Sequence, residues 1–101
     1  MKSAKEAIKE MYGESNNCVT PNVYSYGWID EKNMAYELSK GDSFFQNLYL
    51  VGVSIVREEE EGKWEKATDI STCFSGNNEG EVLKKAKNYI EELQEEIANS
   101  L

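Results

Sequence analysis

The longest apolar run in the chain extends from Leu48 to Val56 and limits the folds that the sequence can adopt. Side chains of a β-strand alternate between its two faces, and both alternating sets here are apolar apart from the small residues Gly52 and Ser54. Such a strand is typical of the centre of a sheet that is covered on both sides. The run is also far shorter than the roughly 20 residues of a membrane-spanning helix. We therefore expect a soluble fold in which other elements cover both faces of this strand.

Helical patterns at the two ends of the chain supply those covering elements. Near the start, Ser3 and Glu6 have the spacing of a capping box, in which each side chain bonds a free backbone amide of the first turn. The short helix that follows has one apolar stripe, formed by Ala4, Ala7, Ile8, Met11 and Tyr12. Asn78 and Glu81 have the same spacing before a longer helix from about Glu79 to Asn99. Its apolar positions recur every three or four residues, at Leu83, Ala86, Ile90, Leu93, Ile97 and Leu101.

Strand patterns fill the middle of the chain. Val23–Ile29 and Met34–Ser39 alternate around a short polar turn and predict a β-hairpin. After the central strand, the charged turn Arg57–Gly62 leads into Lys63–Ser75, whose alternation predicts one half-exposed antiparallel strand. The order helix, hairpin, hairpin, helix predicts an α+β fold, with residues 1–101 in a single domain. We expect an N-terminal helix, an antiparallel sheet of about four strands and a long C-terminal helix packed on the sheet.

Two connecting segments are predicted from turn and cap signals. Glu14–Asn22 contains adjacent asparagines and the only proline, Pro21, and predicts a loop. Ser43–Gln46 follows a glycine and has the ends of a capping box around two phenylalanines, so we expect a single helical turn there.

The residue types that carry most enzyme chemistry are scarce in this chain. It has no histidine, the commonest general base near neutral pH and the commonest metal ligand. The two cysteines, Cys18 and Cys73, are too few for a disulfide framework or a zinc site, and we expect free thiols in a reducing compartment. The first residues also lack the apolar stretch of a signal peptide. We therefore expect a cytoplasmic protein that is not an enzyme and carries no cofactor or metal.

The balance of charge is strongly acidic. Nineteen acidic residues against 11 basic ones give a formal net charge of −8. Because nucleic-acid binding depends on neutralising phosphates, this charge argues against direct binding of DNA or RNA. Eight of the acids fall in two blocks, one after the central strand and one near the end of the long helix: Glu58, Glu59, Glu60, Glu61, Glu91, Glu92, Glu95 and Glu96. These blocks are either solvated surface or a docking surface for a protein with a basic site.

The first predicted strand carries a row of aromatic residues, Tyr24, Tyr26 and Trp28. Strict alternation places the three rings on one face. They belong there either to the core or to an exposed platform on which a ligand stacks. The second interpretation predicts a small ligand of the nucleotide type.

Three functional hypotheses follow from these features. The leading one is a non-enzymatic protein-binding module that covers a basic, nucleic-acid-binding surface of a partner and so imitates nucleic acid. Small acidic α+β proteins without catalytic motifs are frequent among inhibitors from phages and mobile elements, an analogy of size and charge alone. The alternatives are a homo-oligomer that binds or sequesters a small ligand through the aromatic row, and a structural subunit of a larger assembly.

Overall fold

The computed structural model describes residues 3–13, 23–30, 33–41 and 47–100. Its elements, in chain order, are helix α1 (Ala4–Ile8) with a following π-helical turn (Lys9–Gly13), strands β1 (Val23–Asp30), β2 (Met34–Gly41), β3 (Tyr49–Glu60), β4 (Lys63–Lys66) and β5 (Thr72–Gly76), and helix α2 (Glu79–Asn99). The predicted α+β fold, with the long helix packed on an antiparallel sheet, is confirmed. The segments 14–22 and 43–46 lie outside the described residues, as do Cys18, Leu101 and the side chain of Tyr12.

Both predicted helix starts have the expected caps. The Ser3 hydroxyl accepts the N–H of Glu6 at 3.2 Å, and the Glu6 carboxylate accepts the N–H of Ser3 at 3.4 Å. These two bonds complete the capping box of α1. At the start of α2, Asn78 Oδ1 accepts the N–H of Glu81 at 3.1 Å.

The strand pairs described are all antiparallel, and β3 lies at the centre of the sheet. β1 pairs with β2, which confirms the predicted first hairpin, and β2 pairs with one edge of β3. The other edge of β3 is shared between two short strands. β5 pairs with Tyr49–Val53 and β4 with Val56–Glu60. Helix α2 covers one face of the sheet and α1 covers one end of the other face, as the apolar run of β3 predicts.

The prediction of one strand from Lys63 to Ser75 is wrong, because residues 67–71 separate β4 from β5. Ala67 is fully buried and donates its N–H to the carbonyl of Ile55 on β3 at 2.8 Å. The chain then turns, and the Ser71 hydroxyl donates back to the Ala67 carbonyl at 2.8 Å. The same hydroxyl accepts the N–H of Ile55 at 3.0 Å. A side chain thus replaces a strand hydrogen bond, and alternation of residue types does not reveal such a break.

The main core lies between α2 and the sheet. Its buried members come from β1, β2, β3, the turn at 67–71 and one stripe of α2: Ile29, Leu38, Val51, Val53, Ile55, Ala67, Val82, Ala86 and Ile90. The remaining described positions of the predicted α2 stripe, Leu83, Leu93 and Ile97, pack around this cluster. The predicted apolar face of the long helix is therefore confirmed over its described length.

A smaller core lies on the opposite face of the sheet, beneath α1. Its buried members are Ala4, Ala7, Ile8, Ala35, Val56 and Trp64. The fold thus has three layers at one end of the sheet and two elsewhere among the described elements.

Candidate functional site

A β-bulge at the beginning of β1 splits the aromatic row that the sequence suggested as a ligand platform. The pairing of β1 with β2 shifts register between Val23 and Ser25, on either side of Tyr24. Tyr24 therefore packs on the α2 side of the sheet, whereas Tyr26 and Trp28 pack on the α1 side. The prediction that the three rings share one face is wrong, and they form no single stacking surface.

Two of these rings are also held by contacts within the protein. The Tyr24 hydroxyl donates to Oε1 of Glu79 in the first turn of α2, at 2.7 Å. Burial and this carboxylate raise the pKa of Tyr24 to about 12. Trp28 packs against Trp64, with ring centroids 6.2 Å apart and planes inclined by 46°. Tyr24 therefore joins helix α2 to β1, and Trp28 joins β1 to Trp64 of β4, on the same face of the sheet.

Tyr26 and Glu37 form a titratable pair on the α1 side of the sheet. They lie directly opposite each other in the pairing of β1 with β2. Burial raises the pKa of Glu37, although its hydrogen bond with the Tyr26 hydroxyl opposes this shift. Burial and the Glu37 carboxylate together raise the pKa of Tyr26. The pair ties two strands together at a distance from the acidic blocks.

The first acidic block lies at the end of β3 and in the turn that leads to β4. Glu58 is half-buried, whereas Glu59, Glu60 and Glu61 are exposed. Oε2 of Glu60 lies 3.3 Å from the Lys63 ammonium across the turn. A depression of about 280 Å³ is lined by Glu59, Glu60, Lys63 and Glu65. The block is therefore a shallow, accessible surface with acids on both strands of the hairpin.

The second acidic block lies on α2, and its four glutamates are all exposed. Glu91 and Glu95 are neighbours one turn apart, as are Glu92 and Glu96, and together the four spread across the exposed side of the helix from one flank to the other. Glu91 lines a groove that faces β1 and β2. Glu96 lies on the other flank of the helix, close to Tyr89. The Tyr89 hydroxyl donates to the carbonyl of Ile70, before β5, at 2.6 Å.

Asp69 connects the two blocks. Burial raises the pKa of Tyr89, and the carboxylates of Glu96 and Asp69 raise it further. Asp69 directly precedes Ile70, whose carbonyl accepts the Tyr89 hydroxyl at 2.6 Å, and Glu96 lies about two turns beyond Tyr89 on the same face of α2. Asp69 Oδ1 is also 3.2 Å from Nη2 of Arg57, and Nε of Arg57 is 2.9 Å from Oε1 of Glu59. Glu59, Asp69 and Glu96 thus follow one another along the surface, and we refer to these three residues as the acidic strip.

Asp69 was not among the residues predicted to bind a partner. Its sequence signal was limited to its place on the exposed face of the predicted strand Lys63–Ser75. Its proximity to Glu96 depends on how α2 crosses the sheet, and its proximity to Glu59 depends on the break between β4 and β5. Neither of these features follows from residue patterns.

A groove lies on the opposite flank of α2, between the helix and the β1–β2 hairpin. Its volume is about 200 Å³. It is lined by Ser25, Tyr36, Leu38, Lys87, Ile90, Glu91 and Gln94. Among these, the sequence had suggested only Glu91 as a functional residue.

No protein-family model, curated protein or solved structure matches this chain. Within the described residues, no helix has the length and apolar character needed to cross a membrane. The same part of the chain contains no group of three or more Cys, Asp or Glu side chains arranged to bind a metal ion. The features that indicate a function are therefore the acidic strip on one flank of α2 and the groove on the other.

Proposed function

We propose that the protein is a non-enzymatic protein-binding module that docks through its acidic strip on a basic surface of a partner. The observation that carries this proposal is the position of Asp69: it shares Arg57 with Glu59 of the first block, and it adjoins Ile70, whose carbonyl accepts the hydroxyl of Tyr89 on the face of α2 that carries Glu96 of the second block. Charges that act together on one surface produce a stronger field than the same charges dispersed. The net charge of −8 adds to this field over the whole molecule.

The carboxylates of the strip remain available to a partner. The side chains of Glu59 and Asp69 are 47% and 59% exposed, and Arg57 between them is 35% exposed. Exposed ion pairs of this kind contribute only about 0–1 kcal/mol, because water and salt screen them. A lysine or arginine of the partner can therefore replace Arg57 as the counter-ion at little cost.

The partner that fits this surface best is a protein whose basic site binds nucleic acid. Such sites present lysines and arginines spaced to neutralise phosphates. A row of carboxylates offers them a similar pattern of negative charge without being a substrate. The proposed action is inhibition in the cytoplasm, by occupying the site that nucleic acid would otherwise occupy.

Self-association through the acidic strip is disfavoured by the same charges. A two-fold contact between copies would bring like charges together, which costs affinity. The strip therefore favours a different, basic protein over a second copy of this chain.

The test is affinity capture of soluble proteins from the native host, with nuclease treatment and low salt. The baits are the wild type, the strip variant Glu59→Gln/Asp69→Asn/Glu96→Gln, and a control that raises the net charge equally, Glu81→Gln/Thr72→Lys/Asn88→Lys. The control positions are exposed and lie outside the strip. Equal circular dichroism spectra and melting temperatures would show that all three baits are folded.

We expect a basic protein to be retained by the wild type and the control, lost with the strip variant, and released from the wild type by salt. Nucleic acid added to the captured protein should displace the bait. Retention that resists salt, or that is equal for the strip variant and the wild type, would contradict the proposal.

A further inference from the structure

Helix α2 is fastened to β1 at two points, and the groove lies between them. Near its beginning, Glu79 Oε1 accepts a hydrogen bond from the Tyr24 hydroxyl at 2.7 Å. Near its end, Gln94 Nε2 donates to the carbonyl of Trp28 at 3.0 Å. About 22 Å of helix axis separates Glu79 from Gln94, at 1.5 Å per residue. The two fastenings hold the helix and the hairpin at a fixed separation on either side of the groove.

The groove exists because β1 has small residues where it faces α2. Ser25 lines the groove, and Gly27 lies directly opposite Tyr36 in the strand pairing. A Cβ atom at Gly27 would come within 2.6 Å of the Tyr36 ring, so this ring lies across the glycine. Leu38 and Ile90, both buried, complete an apolar floor beneath the opening. The partly exposed Tyr36 ring is the main apolar surface that a ligand in the groove can reach, since Leu38 and Ile90 are only 1% and 3% exposed.

Most polar side chains of the groove are not used within the described structure. Lys87 and Glu91 are exposed and lie one helical turn apart, which separates their Cβ atoms by roughly 5–6 Å. Neither forms an ion pair with a described residue, and the hydroxyls of Ser25 and Tyr36 make no hydrogen bond with one. Among the polar side chains of the groove, Gln94 alone hydrogen-bonds a described residue, through its amide nitrogen to the carbonyl of Trp28.

Polar side chains elsewhere between α2 and the sheet do form hydrogen bonds within the protein. Tyr24 and Glu79 bond each other, and Tyr89 bonds the backbone before β5. Polar groups in those places serve to join α2 to the sheet. In the groove, a cation, a carboxylate and two hydroxyls surround an apolar floor and are free to contact a ligand.

We propose that the groove binds a small zwitterion of the size of a free α-amino acid. Lys87 would pair with the carboxylate of the ligand, Glu91 would pair with its ammonium group, and the Tyr36 ring with the apolar floor would contact its side chain. The volume of about 200 Å³ is below the roughly 300–1,000 Å³ of sites for drug-sized ligands, and it therefore favours a ligand smaller than a nucleotide. This site lies on the flank opposite the acidic strip and does not depend on the proposed docking function.

The test is a titration of the ¹⁵N-labelled protein with each of the common L-amino acids, followed by the backbone amide resonances. Concentrations up to about 10 mM detect complexes weaker than the ~4 kcal/mol that corresponds to a millimolar dissociation constant. For at least one amino acid we expect saturable shifts at Ser25, Tyr36 and Leu38 and along α2 near Lys87 and Glu91. The N-acetylated and the amidated forms of that amino acid each lack one charge and should bind at least tenfold more weakly.

Substitutions then test whether Lys87 binds the carboxylate of the ligand and Glu91 its ammonium group. Lys87→Gln and Glu91→Gln should each weaken binding at least tenfold. Lys85→Gln and Glu92→Gln remove the same charges from exposed positions of α2 that do not line the groove, and they should leave binding unchanged. The proposal is overturned if no amino acid gives saturable shifts in the groove, if a derivative lacking one charge binds as well as the free amino acid, or if the control variants weaken binding as much as the groove variants.

Discussion

The two flanks of α2 meet the sheet in different ways. On the flank facing β5, the Tyr89 hydroxyl is bonded to the Ile70 carbonyl and its ring packs edge-on against Phe74, with centroids 5.7 Å apart. On the flank facing β1, Lys87 and Glu91 stand beside a groove. On the first flank, helix and sheet are in direct contact, and the charged side chains lie on the surface beside this contact. On the second flank, the helix and β1 are joined by two hydrogen bonds, and the groove lies between these bonds.

The difference shows how one helix can support two kinds of surface. A closed flank places the exposed residues Asp69 and Glu96 on a fixed backbone, and carboxylates displayed in this way can complement a large basic surface. An open flank provides volume beside charged side chains, which is what a small ligand requires. Both flanks rest on the same buried stripe of α2, so a change on one need not alter the other.

The largest effect is expected at the closed flank, for Ser71→Ala. This change removes the hydroxyl that accepts the N–H of Ile55 and leaves a backbone donor of a fully buried residue without that partner. The free energy of unfolding should fall by about 1–3 kcal/mol, measured by urea denaturation. Ser75→Ala on β5 is the matched control, because Ser75 is exposed, and its effect should stay within about 0.5 kcal/mol. Equal losses in the two variants would show that Ser71 does not hold the edge of the sheet together.

Removing one phenolic oxygen from each flank compares them directly. Tyr89→Phe deletes the hydrogen bond to Ile70 and should lower the free energy of unfolding by about 0.5–1.5 kcal/mol. Tyr36→Phe removes a hydroxyl that bonds no described residue and should have almost no effect on stability. If Tyr36→Phe is as destabilising as Tyr89→Phe, the Tyr36 hydroxyl has a hydrogen-bond partner in the protein and is not available to a ligand in the groove.

Alkaline pH should loosen the fastening of α2 to β1. Because the folded protein raises the pKa of Tyr24 from 10.0 to about 12, the folded state keeps a proton that the unfolded state loses. The stabilisation is therefore fully present below pH 10 and is lost as the pH rises towards about 12. Tyr24→Phe should make the melting temperature less dependent on pH in this interval. If the melting temperature of Tyr24→Phe depends on pH as that of the wild type does, the pKa of Tyr24 is not raised in the folded protein.

The smallest effect is expected from single charges of the helix. Glu96→Gln removes a carboxylate near the C-terminus of α2, where the helix dipole disfavours it, and should stabilise the protein by about 0.3–0.5 kcal/mol. It should also lower the pKa of Tyr89, measured by the ultraviolet absorbance of tyrosinate. Glu91→Gln, on the open flank, should leave that pKa unchanged. Equal changes from both variants would contradict the placement of Glu96 in the acidic strip.

The sequence predicts the parts of this structure that depend on local patterns. Apolar periodicity identifies the stripe of α2 and the central position of β3, and the caps at Ser3 and Asn78 mark where the helices begin. These features depend on residues a few positions apart, whose preferences do not need the rest of the fold.

The parts that could not be predicted depend on backbone irregularities and on long-range crossing. The bulge beside Tyr24 inserts one residue and moves a ring to the other face, although the residue pattern of β1 alternates without a break. The turn at 67–71 forms because a hydroxyl replaces a strand bond. Asp69 and Glu96 lie on the same side of the molecule because Tyr89 of α2 binds the carbonyl of Ile70, and the groove exists because the same helix passes beside Ser25.

The most direct test of the docking function is the salt dependence of binding to the captured partner, for the wild type and for Glu59→Gln/Asp69→Asn/Glu96→Gln. Kd for both proteins is measured by calorimetry over a series of NaCl concentrations. The proposal predicts that wild-type affinity falls steeply with salt, and that the strip variant binds about tenfold or more weakly at low salt, with a shallower dependence. Each lost contact is worth a few tenths to 1 kcal/mol, so three together account for roughly 1.4 kcal/mol or more. Equal affinity and an equal salt dependence for the two proteins would contradict it.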